Sequence, residues 1–159
     1  MYYKKLARRR FDDICIINSA VRFIKNETGV AKAAISFGSI QYKTERQSEL
    51  EKLFENFVVT KENVLALFEK LPSVVDQYYK VACDFPGGDA EYRTAMMTNL
   101  LKEFFSDFCR KRFNVETGID ILQFNDNYTQ VETADPPKDK YITATKPVDH
   151  ESAMLQACG

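Results

Sequence analysis

The sequence predicts a mostly α-helical fold, a bundle of about four to five helices with a short β-rich or extended C-terminal appendage. Three observations predict it. Apolar residues recur at spacings of three and four over 64–82 and again over 97–108, as one face of a helix requires. The run Thr44-Glu45-Arg46-Gln47 has the form of a capping box, in which two side chains satisfy each other's orphan backbone N–H. After Phe113 the chain turns acidic, and Pro136-Pro137 forbids regular structure across its middle. The expected organisation is a helical body over 1–113 with a basic N-terminal arm, then an acidic β or extended tail over 114–159.

The elements follow in order. The opening MYYKKLARRRF is basic and aromatic, with no acid before Asp12. It suits a first helical turn with its cations in water, a partner-docking arm, a phosphate contact on nucleic acid, or the start of an organelle-targeting peptide. Ile14, Ile17, Val21 and Ile24 share a helical face, although the β-branched run around them leaves a strand possible. Asn26-Glu-Thr-Gly29 breaks the pattern. Residues 30–42 are ambiguous, because Ile35 and Phe37 alternate, and helix is favoured.

Beyond the capping box, Leu50, Leu53, Phe54, Phe57 and Val58 make a helical stripe. Thr60 caps the next helix, whose stripe runs from Val64 to Ala82 with Pro72 inside it. A proline there removes one backbone hydrogen bond and costs about 3 kcal/mol in a straight helix, so a kink or break is expected at Leu71-Pro72. Pro86-Gly-Gly-Asp89 lacks the Lys and the glycine spacing of a phosphate loop; it reads as a turn that starts a helix, with Asp89 and Glu91 at the positive end. Met97, Leu100, Leu101, Phe104, Phe105 and Phe108 then form the strongest stripe. Arg110-Lys111-Arg112 favours the dipole at that helix's C-terminus. The alternation at Ile119 and Ile121 and the run Tyr141–Thr145 suggest two short strands, and Met154 and Leu155 anchor one amphipathic turn.

Composition bounds the function. The 159 residues carry a net charge of -1, without the basic excess of a dedicated nucleic-acid binder. Residues 1–25 hold seven Lys/Arg against two Asp, whereas residues 114–159 hold three Lys against eight Asp/Glu, so head and tail can attract each other or different partners. Four cysteines stand far apart with no C-x-x-C pair, which suits a reduced, intracellular, cytoplasmic protein. No run of apolar residues is long enough to span a membrane. The one histidine, His150, has no second histidine or cysteine pair beside it to complete a metal site. Asp12 and Asp13 point to different sides of any regular element, and nothing lowers a thiol pKa in an obvious way. No catalytic, metal or cofactor site is expected.

Three stretches, LPSVVDQ (71–77), KRFNVETGID (111–120) and TQVETADPPKDK (129–140), resemble segments of GrpE-type nucleotide exchange factors. The resemblance implies a dimer whose helical stalk leads to a small β-domain that opens the ATPase cleft of a DnaK-type chaperone. NDNY (125–128) replaces that family's acidic-Pro-x-x-His signature, and no site residue is carried over.

The function expected from the residues is a non-enzymatic interaction or assembly subunit, a helical body packing on other protein chains or on copies of itself. Its expected contact residues are Tyr2, Tyr3, Lys4, Lys5, Arg8, Arg9 and Arg10, with Tyr141, Met154 and Leu155. The GrpE-like co-chaperone is one alternative. The other is a nucleic-acid-binding subunit that uses the basic N-terminus with Arg110–Arg112.

Overall fold

In the run from Ile17 to Lys25 every second side chain is buried: Ile17, Ser19, Val21 and Phe23 face inward. That period of two belongs to a strand. The helical stripe expected here would have buried Ile14, Ile17, Val21 and Ile24 together. Instead Ile14, in the loop before the strand, is 88% exposed, and Ile24, on the strand's outward face, is 44% exposed; the β-branched residues of the strand itself fit a pleated surface with one covered face.

The computed structural model describes residues 1–9, 12–79, 81, 89–119 and 153–158. The chain divides into two units, Met1–Leu122 and Gln123–Gly159. The first unit is α+β. Strands β1 (Tyr2–Leu6), β2 (Ile17–Lys25), β3 (Gly29–Gly38) and β4 (Glu45–Arg46) form an antiparallel sheet in that spatial order, and β5 (Phe57–Val58) pairs with the start of β3. Helices α1 (Ser48–Lys52), α2 (Lys61–Tyr78) and α3 (Ala90–Phe113) complete it. In the second unit, the described residues form α4 (Ala153–Cys158).

The mostly helical bundle is therefore corrected to a helix-covered antiparallel sheet. The basic N-terminus is a strand rather than an arm or a helical turn. Residues 29–38 are β3, so the alternation of Ile35 and Phe37 was the decisive signal there. Asn26 turns β2 into β3: its Oδ1 accepts from the backbone N–H of Thr28 (3.1 Å) and Gly29 (2.7 Å), the Asx geometry that short polar side chains provide. Gly29 is needed for close approach, since a Cβ there would lie 2.0 Å from the Phe57 carbonyl oxygen.

The expected capping box does not form. Gln47 itself is the N-cap residue of α1 without a side-chain cap, and its amide donates to the Glu45 carbonyl (2.9 Å). Leu50 does reach the core from a helix of barely more than one turn, and Phe54 from the turn that follows it. Thr60 caps α2 as expected, accepting from Asn63 N–H at 3.2 Å. The helix then runs through Pro72 without ending. Pro72 lies on the exposed face, where water can take the carbonyl bond that the missing N–H leaves open. Helix α3 matches its expected stripe and ends at Asn114 in the left-handed region (φ 55). The strands expected near 119–123 and 141–145 lie outside the described residues, Ile119 excepted, as does Pro86-Gly-Gly.

The core is the seam between the sheet's inner face and the helices. Helix α3 packs on β2, α2 on α3, and α1 against both β3 and α2. Phe105, fully buried, meets Phe54 at 5.0 Å, Phe23 at 5.2 Å, Phe57 at 5.5 Å and Phe108 at 6.0 Å between ring centroids. Aromatic pairs at such separations add about 0.5–1.5 kcal/mol each beyond area burial.

Candidate functional site

Strand β1 divides its side chains between two jobs. Tyr2, Lys4 and Leu6 point inward. Tyr2 stacks on Phe104 at 5.5 Å, and its hydroxyl bonds the Asp107 carboxylate; burial, followed by that carboxylate's charge and hydrogen bond, pushes its pKa up to about 12. Lys4 Nζ donates to both oxygens of Glu103, at 2.7 and 2.8 Å. Tyr3 and Lys5 point outward, and Tyr3 is 82% exposed. The expected contact residues thus include two that bolt β1 onto α3.

Of the remaining expected contacts, two are held within the first unit. Arg8 reaches Asp89 at 3.9 Å, at the start of α3. Arg9 donates to the Asp12 carbonyl (2.6 Å), and its own N–H is held by Asp13 (2.8 Å). Met154 and Leu155 belong to α4 in the second unit. Arg10 and Tyr141 lie outside the described residues.

Sequence reasoning passed over Arg93. Its side chain is almost fully buried, and Nη1 donates to the carbonyls of Ile16 and, at 2.8 Å, Ser39. It thereby ties the β1–β2 connection to the end of β3. No residue spacing announces such a rivet; an Arg three positions into a helix reads as solvated. Beside it, Cys15 shares a hydrogen bond with Ser39 Oγ (3.5 Å) and accepts one from Asn18 Nδ2 (3.3 Å). The Ser39 bond, chiefly, outweighs burial and lowers the thiol's pKa below its ordinary value. Cys109, in contrast, is sealed in the core and pushed up to about 12 by burial. Cys15, Cys109 and Cys158 are free thiols.

Along α3, Asp107 is nearly buried and held by Lys111 (2.7 Å) and Arg110 (2.9 Å). Burial pushes its carboxyl up, but the two cations prevail and hold it below the usual carboxylate range. Two of the three cations at the helix end, Arg110 and Lys111, are thus paired with Asp107, and Arg112 is exposed. A cavity of about 910 Å³ opens between α2 and α3, lined among others by Pro72, Asp76, Val81, Thr94, Thr98 and Lys102. Among the described residues no cluster of His, Cys, Asp and Glu could hold a metal ion, and no helix is long and apolar enough to cross a membrane.

Comparison with known proteins supplies what the geometry alone does not. The family model of the CO dehydrogenase flavoprotein C-terminal domain matches residues 1–108, from β1 through most of α3. The chain belongs to that family. The xanthine dehydrogenase of Oryza sativa subsp. japonica is 26% identical over 98% of this chain, which spans 12% of that relative's length. Among solved structures, quinoline 2-oxidoreductase from Pseudomonas putida 86 superposes with a TM-score of 0.53 at 12% identity, covering 69% of this chain and 36% of that one. This last likeness is one of fold. Carbon monoxide dehydrogenase from Hydrogenophaga pseudoflava gives 0.49 at 27% identity over 64% of this chain and 33% of its own.

These findings overturn the expected function. A non-enzymatic helical assembly subunit gives way to a dehydrogenase flavoprotein domain. The GrpE-like reading fails on its own segments: Leu71–Gln77 lies within α2, which packs on α3 over a sheet, not in a stalk. Its third segment, 129–140, lies outside the described residues. The nucleic-acid reading gives way to the same family match; of the cations it relied on, Lys4 pairs with Glu103, and Arg110 and Lys111 with Asp107.

The family's description implies a flavin. The described residues do not form a cradle for one. The space a Cβ would fill at Gly38 is taken by the Asn18 and Thr44 side chains, and at Gly29 by backbone. No buried side-chain polar atom among the described residues is left without a partner. The α2–α3 cavity has no aromatic wall among its lining residues.

Proposed function

We propose that this chain, as a CO dehydrogenase flavoprotein C-terminal domain, is the part of an oxidoreductase that completes and braces a flavin site held mainly by neighbouring protein. The match across residues 1–108 carries the reading. The chemistry of the described residues supports a bracing role. Lys4–Glu103, the Tyr2–Phe104 stack and the Arg93 rivet fix the sheet to its helices, and the Arg93 rivet also fixes the loops at one end of the sheet. A rigid scaffold that positions loops is how sites of this kind are usually built. The redox reaction, its substrate and its electron acceptor then belong to the assembly as a whole.

The test is capture of the tagged chain from its native cells and identification of what accompanies it. The expected companions, whether on the same polypeptide or on others, are sequences of a flavin-binding dehydrogenase in fixed proportion to this chain. A chaperone or nucleic acid in their place contradicts the reading.

A further inference from the structure

The sheet of the first unit has two faces, and its helices cover one. The register places Tyr3, Ala20, Ser36 and Arg46 in one row across β1, β2, β3 and β4. On either side run Lys5–Asn18–Gly38 and Arg22–Ala34, and the last row is Ile24–Lys32. These side chains all point away from the buried set Ile17, Val21, Ile35 and Phe37. The middle of this outer face is small and half-buried: Asn18, Ala20, Ala34 and Ser36. A strand face that only meets water usually carries long polar side chains; a floor of alanine and serine lets another surface approach the backbone closely.

The rim is cationic. Lys5, Arg22 and Lys32 are exposed and have no ion-pair partner among the described residues. Arg46, on the far edge, is held by Glu51 at 2.7 Å. No Asp or Glu occupies any outward position of these rows. Tyr3 at 82% and Ile24 at 44% exposure add apolar surface at two corners. A flat floor, two apolar corners and three cations with no ion-pair partner among the described residues describe one side of an interface with charge complementarity.

We propose that this outer sheet face docks the chain onto a flat, acidic surface of the neighbouring flavin-bearing protein. The inference rests on the proposed function and specifies which face meets the rest of the assembly. The bolted groups on the inner side of β1 hold the strand rigid from behind, so the face is presented as formed.

The test compares charge-reversal pairs in the tagged full chain expressed in its native cells. Arg22→Glu with Lys32→Glu reverses two rim cations; Lys61→Glu with Lys70→Glu makes the same change in net charge on exposed positions of α2. The outer-face pair is expected to weaken co-purification of the flavin-bearing companions at least about tenfold at low salt, or, where they share the polypeptide, to lower its resistance to proteolysis between the two parts by the same factor, and the α2 pair to leave both unchanged. Arg22→Gln with Lys32→Gln, which spares the fold any new charge repulsion, is expected to give an intermediate loss and a shallower salt dependence. The inference is overturned if the outer-face pairs retain their companions at the same salt concentration as the wild type, or if both reversals lose them equally. A wild-type chain that brings down no flavoprotein sinks the proposed function itself, which keeps the two failures distinct.

Discussion

Phe105→Ala probes the seam on which the fold depends. The ring is fully buried and touches residues from β2, the α1–β5 segment and α3. Truncating a buried Phe costs about 3–5 kcal/mol, part lost transfer energy and part unfilled cavity. Domains of this size are stable by only about 5–15 kcal/mol. With a urea slope of about 2 kcal/mol per molar, the unfolding midpoint followed by circular dichroism should fall by about 2 M. Phe23, 5.2 Å away on β2, supplies the sharper control. A double-mutant cycle of Phe23→Leu and Phe105→Leu should show coupling above about 0.5 kcal/mol. Strict additivity, or a loss under about 1 kcal/mol for Phe105→Ala, would refute the packing of β2 on α3.

Four further outcomes follow from the same geometry. Gly29→Ala should destabilise by about 2 kcal/mol or more in a thermal melt, since the new Cβ lands 2.0 Å from the Phe57 carbonyl oxygen and 2.8 Å from Val59 N; an unchanged melting temperature contradicts the β3–β5 pairing. Arg93→Met should raise amide exchange in residues 13–18 and around Ser39, at a cost of about 2–3 kcal/mol for the carbonyls it strands; protection that persists there argues against the rivet. Cys15 should be alkylated faster than Cys109 at neutral pH in the folded protein, and Ser39→Ala should raise the pH at which Cys15 reacts; equal rates for the two thiols count against the assignment. Asp107, whose folded pKa lies below its unfolded value, contributes stability that is present above the ordinary carboxylate pKa and is lost as pH falls through the folded one. Lys111→Met should therefore move the acid side of the stability profile to higher pH, and an unmoved profile contradicts the pairing.

The helices α2 and α3 were legible because their stripes are long enough for a 3.6-residue period to stand out. Thr60 and the end of α3 at Arg110–Arg112 carried local capping chemistry that survives any tertiary context. The sheet was not legible for a different reason in each strand. Around β2, Ile14, Ile17, Val21 and Ile24 fall on helical spacing by coincidence, while the true inward set includes the polar Ser19. In β3 the inward positions include Ala33, whose small side chain weakens the alternation. In β1 the basic residues hide an inward Lys4, whose charge is met by Glu103, 99 positions away. Such pairings are set by the fold and have no local signature. The site suffers the same limit: Arg93 acts on two carbonyls 77 and 54 residues away, and the cations of the outer face come together only through strand register.

The most direct test of the account is the visible absorption of the assembly captured through this chain from its native cells. The expected result is a flavin spectrum in fixed ratio to the chain, and a flavin that becomes exposed or dissociates when the chain is stripped away. A captured chain without flavin, or a flavin whose spectrum and retention are indifferent to removing the chain, would contradict it.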